Sequence, residues 1–548
     1  MVVDNATPFS RQTALRRMAD SPVDVLVVGG GITGAGVALD AAARGLSVAL
    51  VEREDFASGT SSKSSKLVHG GLRYLQQRDY LLVREGLVER QRLLANAPHL
   101  VQPLAFLIPI FGRDGVLNRA VAKTYSTALW SYDLVGGMRI GTRHRRIGRE
   151  EAARLLPTLR ADLLVAGFLY WDARTDDARL TLAVARTAAD HGAAVANHAP
   201  VAELTRDGRG KVDGAVLGPS GVAGGPDTAG LRVRAGVVVN ASGVWADEVR
   251  GLGEGSDPGS LRPAKGVHIT VPLEKLPAEV AIVLPVLGDR RSVFVVPWGG
   301  HVYVGTTDTD YDGPLDDPKC TAEDIAYLVA AVNAFVSTPI SERDVVGTWA
   351  GLRPLIKGAA TDRTADLSRR HDVRTSAQGL VTVTGGKLTT YRRMAADTVD
   401  AALAQLGQRG RQRRRSPTRR LRLHGADARP GSAADDHLHS RFGGESPRLA
   451  ALASQRPEWG APLVPGLPYL AVEAVWAARE EMALTLEDVL ARRTRALLLD
   501  REATARAAPG VADLLAPELG WDGPERERQL GSFLQLVEAE RAANRAPV

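Results

Sequence analysis

With 548 residues, 44% of them hydrophobic, the chain is too long for one ordinary core and predicts two or three domains around a sizeable interior. A single cysteine, Cys320, excludes an intramolecular disulfide, a CxxC redox pair and a Cys-rich metal site, and fits a reducing compartment such as the cytoplasm. The formal net charge of +6 is local, because seven arginines fall between Arg409 and Arg420 and the remainder is close to neutral, which argues against a nucleic-acid-binding surface.

The N-terminus, MVVDNATPFSRQTALRRMAD, lacks an apolar core behind basic residues, and no apolar run approaches the roughly 18 residues of a spanning helix; neither secretion nor a transmembrane span is expected. Residues 24–28 form a short apolar run of strand type, residues 29–34 a turn, residues 33–44 a helix closed by Gly45, and residues 47–51 a second strand. This is a β-α-β unit of parallel-sheet type. Within it, Gly29-x-Gly31-x-x-Gly34 lets the backbone approach a pyrophosphate and turns a helix N-terminus toward its charge. Glu52, eighteen residues beyond Gly34, can accept hydrogen bonds from both ribose hydroxyls of an adenosine and would repel a 2′-phosphate, disfavouring NADP. The next stretch, SGTSSKSSK over residues 58–66, offers small residues and hydroxyls to a cofactor that continues past the pyrophosphate, which favours FAD over NAD.

Residues 80–94 place Leu81, Leu82, Leu87 and Val88 among Arg84, Arg90 and Arg92, a pattern that suits either a helix lying in a bilayer surface or core packing. Further strands are expected at 193–197, 212–216, 237–240 and 380–384, the first preceded by a helix over 179–191, so one nucleotide-binding domain is assembled from pieces spread along the chain. Two of these strands run into small-residue turns, Ala241-Ser242-Gly243 and Gly385-Gly386-Lys387. Lys387, beside a flavin pyrimidine ring, would stabilise the negative charge that develops there on reduction. Between the pieces, residues 268–270, 291–297 and 301–306 read as antiparallel strands of an inserted second domain. Residues 308–313 begin like a calcium loop, but Lys319 stands where a bidentate Glu is required, so no metal site is assigned. The tract QRGRQRRRSPTRR, residues 408–420, and the Gly/Pro/Ala-rich piece after it read as a solvated linker. Beyond it Val472, Val475, Trp476, Met482 and Ala483 share a helical face, and Thr485 with Asp488 forms a capping-box pattern.

Five stretches together, GGGITGAG (29–36), SSKLVHGGLRYL (64–75), GTTDTDYDG (305–313), GLRPL (351–355) and GGKLTTYR (385–392), resemble the FAD-dependent glycerol-3-phosphate dehydrogenase family of the aerobic, quinone-linked type, and TLEDVLARRTR (485–495) is similar to its helical cap. The resemblance implies an α/β fold: a glutathione-reductase-type FAD-binding domain, an inserted antiparallel-sheet substrate domain and a C-terminal all-helical domain. The expected division puts FAD-domain pieces at about 20–95, 170–260 and 345–405, the insert at about 96–169 and 261–344, the linker at 406–434 and the helical domain at 435–548. The implied reaction is oxidation of sn-glycerol 3-phosphate to dihydroxyacetone phosphate, by hydride transfer from C2 to flavin N5, with electrons passed to a membrane quinone.

Substrate contacts are expected from Arg73, Tyr74, His268, Arg353 and Lys387, with two arginines suited to a phosphate dianion. His268, Arg353 and Lys387 are the catalytic candidates. His268 is the expected base for the C2 hydroxyl proton, His69 its competitor, and Arg353 or Lys387 could instead orient the alcohol for proton loss to water. Around FAD, bound noncovalently, the expected contacts begin with Gly29, Gly31, Gly34, Glu52 and Arg53. They continue through Thr60, Ser61, Ser62, Ser65 and His69, then Ala241, Ser242 and Gly243, and end at Gly386, Lys387, Leu388 and Thr389. The resemblance further implies peripheral attachment to the cytoplasmic face of the cell membrane and a homodimer, with no nucleic-acid partner. The alternatives are an oxidase that passes electrons from the same substrate to oxygen, an amino-acid or sarcosine-type flavin oxidase, and a non-enzymatic scaffold built on the arginine tract.

Overall fold

A computed structural model describes residues 9–71, 79–112, 127, 129–134, 142–223, 226–255, 258–289, 291–357, 370–407, 415–427 and 437–545. Arg73 and Tyr74 lie outside the described residues.

The strand Val23–Val28 runs parallel between Val48–Val51 and Arg232–Asn240, and the sheet continues to Ala194–Ala196 on one side and to Val381–Gly385 and His371–Thr375 on the other. Its strands are apolar on both faces because both are covered. Val25 and Val27 pack against the helices Ile32–Ala43, Asp177–Asp190 and Tyr391–Leu406, whereas Leu26 and Val28 pack against the helix Arg11–Asp20 and the hairpin Val201–Arg206/Val212–Leu217. The β-α-β unit and all four later strands thus lie where the apolar runs put them.

The second sheet is mostly antiparallel, in the order Thr309–Asp310, Leu261–Pro272, His301–Gly305, Ser292–Trp298, Ala281–Pro285, Val101–Phe111, Leu164–Thr175 and Leu67–Val68. The three segments read from alternation are the middles of longer strands. Gly347–Ile356, expected among the FAD-domain pieces, pairs instead with Leu261–Pro272 from Leu261–Ile356 to Thr270–Gly347. Its run of buried residues fits either sheet, and only the long-range partner decides.

The helix Tyr80–Asn96 resolves the two readings of its apolar residues: Leu82, Leu87 and even Arg90 are buried, Arg90 against Asp172, so core packing accounts for most of the pattern. Tyr80 and Leu81 are its exposed large apolar residues. The described part of the expected linker, 415–427, is not a free tether. Ser416 and Thr418 donate to the buried Asp40, Leu423 N donates to Asn96 O (2.8 Å), and the Leu423 side chain enters the core. Its few apolar and hydroxyl residues dock while the arginines face outward.

Beyond residue 437 the chain is helical, with Ala471–Glu480, Arg501–Leu519 and Gly523–Arg545 around one core. The Thr485–Asp488 capping pair forms: Asp488 N donates to Thr485 Oγ1 and Thr485 N to Asp488 Oδ2, both at 3.1 Å. This region is joined to the FAD-type sheet layer by buried ion pairs, among them Arg186, which donates two bonds to Glu445 (2.6 and 2.8 Å). Burial would raise the Glu445 carboxyl, but hydrogen bonds from His424 and Arg186 overcome it and hold the group down at about 2. A lowered folded pKa means that the stability it contributes is complete above the unfolded value and is lost as pH falls toward 2. Glu445→Gln is therefore expected to lower stability by about 2 kcal/mol at neutral pH. The gap between variant and wild type in chemical denaturation should narrow as pH drops below about 4.5; a gap independent of pH would contradict this.

Candidate active site

The glycine turn is shaped by two close approaches. Gly29 has φ +110, and a Cβ there would lie 2.7 Å from Ala241 O; a Cβ on Gly34 would lie 1.9 Å from Gly29 O. Gly34 is thus required for helix-against-strand packing and does not line the cleft that the turn opens. Gly31 precedes the helix Ile32–Ala43, whose first amide, Ile32 N, donates to Ser61 Oγ at 2.9 Å. Glu52 ends the second strand with its carboxylate anchored by Gly30 N (2.5 Å) and Glu54 N (2.9 Å). Burial raises its pKa and these backbone bonds oppose the shift. Arg53 pairs with Asp316 (2.5 Å) and lies over the Trp245 ring.

Between these groups is a cleft of about 340 Å³. Gly29, Gly31, Glu52, Arg53, Thr60 and Ser61 line one part of it; Ala241, Ser242 and Gly243 line another, and Gly386, Lys387 and Leu388 a third. Three separated segments of sequence therefore converge as expected. Ser62, Ser65, His69 and Thr389, expected at the cofactor, do not line the cleft and are engaged with other residues. Ser62 O accepts from Lys66 Nζ (2.9 Å), Ser65 Oγ is hydrogen-bonded to His268 Nε2 (2.8 Å), and His69 N donates to Thr389 Oγ1 (3.2 Å).

The second sheet brings the other candidates to the same loop. Thr60 Oγ1 donates to Leu352 O (2.6 Å), Trp349 Nε1 to Ser64 O (3.1 Å) and Tyr303 Oη to Ser65 O (2.8 Å), and Pro354 lines the cleft next to Arg353. Arg353 donates to Asp308 Oδ1 (3.0 Å), Thr306 Oγ1 (3.1 Å) and Thr307 O (3.2 Å), which fixes its fork. His268, 2% exposed, stacks on Trp349 with centroids 4.7 Å apart, and lies across Gly305, where a Cβ would come within 2.1 Å of its Cδ2. Its Nδ1 has no hydrogen-bond partner among the described residues. Burial, then the positive charges of Lys66 and Arg353, hold its pKa well below the usual imidazole value, so it is neutral. Lys66, which no local sequence signal marks, is fully buried on Asp177 (3.0 Å) and lowered to about 8 by burial and by Arg495.

Asp55, His198 and Asp488 bring a ligand atom each within 4.8 Å of one another, but Arg492 and Arg493 already bind Asp55, and Arg492 binds Asp488, so the cluster is an ion-pair network.

Residues 24–392 match the family described as FAD dependent oxidoreductase, and residues 416–526 match the C-terminal domain of alpha-glycerophosphate oxidase. The chain belongs to the FAD-dependent oxidoreductase family. Within it, the chain groups with the glycerol-3-phosphate dehydrogenases. It is 42% identical to glycerol-3-phosphate dehydrogenase 2 of Mycobacterium tuberculosis (98% of this chain, 92% of that one) and 36% identical to the mitochondrial glycerol-3-phosphate dehydrogenase of Bos taurus (96% and 75%). The solved glycerol-3-phosphate dehydrogenase from Bacillus halodurans complexed with FAD superposes with a TM-score of 0.76 at 30% identity, covering 99% of both chains.

The cofactor of the family is FAD, and the cleft fits it. The glycine turn at Gly29 and Gly31, the Glu52 carboxylate, and the hydroxyls and small residues as far as Gly386 and Lys387 line one continuous cleft, a donor set that suits a dinucleotide cofactor. Among the described residues, no helix is long and apolar enough to cross a membrane.

Proposed function

We propose that this protein oxidises sn-glycerol 3-phosphate to dihydroxyacetone phosphate, with a membrane quinone as the final electron acceptor. What carries the reading is the pairing of a fixed guanidinium, Arg353, with a neutral imidazole, His268, on adjacent strands that dock on the flavin loop. The close relatives are named for the same substrate. FAD, when bound, supplies the acceptor for the hydride that leaves C2.

The protein's own residues do the rest. Arg353, with Arg73 and Tyr74, holds the phosphate dianion, and Asp308 keeps the Arg353 fork aimed. His268 accepts the proton of the C2 hydroxyl: burial first, then the charges of Lys66 and Arg353, keep the ring neutral and oppose the imidazolium, so the proton leaves through the Ser65 hydroxyl bonded to Nε2 and on to water. Ser65, hydrogen-bonded to Nε2, orients the ring. Lys387 sits at the cleft wall, where a cation stabilises charge developing on the reduced cofactor. Gly29, Gly31, Glu52, Ser61 and Ala241 hold the adenine half of FAD, and Gly386 and Leu388 the flavin half.

Peripheral attachment to the cytoplasmic face of the membrane fits this reading. Leu81 (72% exposed) and Leu134 (71%), with Tyr80 and Trp130, are among the large apolar side chains facing solvent, as are Leu287, Leu252 and Leu534 elsewhere in the chain. The acceptor is tested by turnover of sn-glycerol 3-phosphate with a short-chain quinone under argon and, separately, under air without quinone. Product is expected to form in the first case, with little hydrogen peroxide in the second. Peroxide released mole for mole with product would assign the protein to the oxidases instead.

A further inference from the structure

The loop from Asp55 to Ser62 forms part of the cleft wall through Ser58, Gly59, Thr60 and Ser61, yet it contains only one turn of 3-10 helix, Thr60–Ser62. A segment with so little structure of its own takes its position from what holds its ends. One end is the Asp55 carboxylate, fully buried. It accepts from Arg493 Nη1 (2.6 Å) and Nη2 (2.9 Å), from Arg492 Nε (2.7 Å) and from Asn197 Nδ2 (3.1 Å). The other end is the Ser62 carbonyl, which accepts from Arg495 Nη2; the same guanidinium nitrogen binds Asp177 Oδ1 at 3.0 Å.

All three arginines come from one short stretch of the C-terminal helical domain. Its backbone is irregular there: residues Asp488–Arg493 form a π-helical segment, and Arg495 adopts φ +68. Arg492 and Arg493 are consecutive in the π-helical segment and both reach the Asp55 carboxylate. A non-glycine residue in the left-handed region is strained and persists where surrounding contacts fix it. The stretch that carries both departures presents guanidinium groups to the two ends of one loop.

We infer that the C-terminal domain sets FAD affinity by clamping this loop, with Arg492, Arg493 and Arg495 as positioning residues that never touch the cofactor. The inference rests on the family's cofactor and is independent of which substrate is oxidised. Binding is reciprocal in such a coupling, so FAD in turn tightens the docking of the C-terminal domain.

The test compares two buried arginines that join the same two regions. Arg495→Met removes the tie at Ser62 but leaves Lys66 to satisfy both Ser62 O and Asp177. Arg186→Met removes the bonds to Glu445 and a longer pair with Glu481 (3.6 Å), none of which touches the loop, and leaves the bonds of Arg493 to Asp55 in place. FAD dissociation constants are measured on full-length apoprotein by quenching of flavin fluorescence, alongside melting of the apo and FAD-loaded forms. Arg495→Met is expected to weaken FAD binding by about 10- to 100-fold, with partial rescue in Arg495→Lys, while Arg186→Met changes it less than about twofold although both melt earlier. Should Arg495→Met not fold, Arg493→Lys replaces it, since Arg492 and Asn197 still bind Asp55. Unchanged affinity in the loop-side variant, or an equal loss in both, would overturn the inference.

Discussion

Arg353→Ala raises the KM for sn-glycerol 3-phosphate by about 100-fold or more. Two effects act in the same direction. A charge-assisted, bidentate-capable donor to the phosphate is lost, worth about 2–4 kcal/mol where water is excluded. The Asp308 carboxylate, only 6% exposed, also loses the guanidinium bonded to it and presents its charge toward an incoming dianion. The double variant Arg353→Ala/Asp308→Asn should therefore bind substrate better than Arg353→Ala alone. Steady-state kinetics of the three proteins decide it; an unchanged KM in Arg353→Ala would remove Arg353 from the phosphate site.

His268→Gln lowers kcat by about 10²- to 10⁴-fold, the usual contribution of a positioned base, with a far smaller change in KM. Glutamine keeps a polar group near Ser65 and can still lie against Trp349, so the loss reports proton transfer more than packing. The pH dependence separates this base from an ordinary histidine. Because burial and the charges of Lys66 and Arg353 hold its pKa well below 6.5, it stays unprotonated through the neutral range, and kcat of the wild type at saturating substrate, where ionisation of the free substrate phosphate no longer counts, should show no acid limb near 6.5. A limb there that disappears in His268→Gln would mean the imidazole is more solvated than its packing implies. A larger fall in His69→Gln would transfer the role of base to His69.

How much of this was legible in the sequence follows from how local each signal is. The parallel sheet declared itself because apolar runs, a glycine turn and an acid at the next strand end are all contained within a few tens of residues. The inserted sheet is visible only in the middles of its strands, and Gly347–Ile356 is assigned to the wrong sheet, since its partner Leu261–Pro272 lies about eighty residues earlier in the chain and buried runs look alike in either sheet. Residues 80–94 fitted both a bilayer surface and a core, and the choice depended on Asp172, whose burial under Arg90 has no local signature. The cofactor path was largely legible, because glycines and hydroxyls at strand ends have few other uses. Its supports were not: a lysine among serines reads as surface, and Lys66 owes its burial to Asp177, 111 residues away. Arg492 meets Asp55 across 437 residues, and no period or motif announces such a pair. The arginine tract misled in part, since its charges suggested a solvated tether where Ser416, Thr418 and Leu423 are docked.

The central claim is tested most directly by anaerobic addition of sn-glycerol 3-phosphate to the purified, FAD-loaded protein while the visible absorption of oxidised flavin is followed. The account predicts bleaching by this ester and not by glycerol at the same concentration or by alanine, with dihydroxyacetone phosphate formed in equal amount to the flavin reduced. A flavin that stays oxidised in the presence of the ester, or one bleached by alanine, would contradict it.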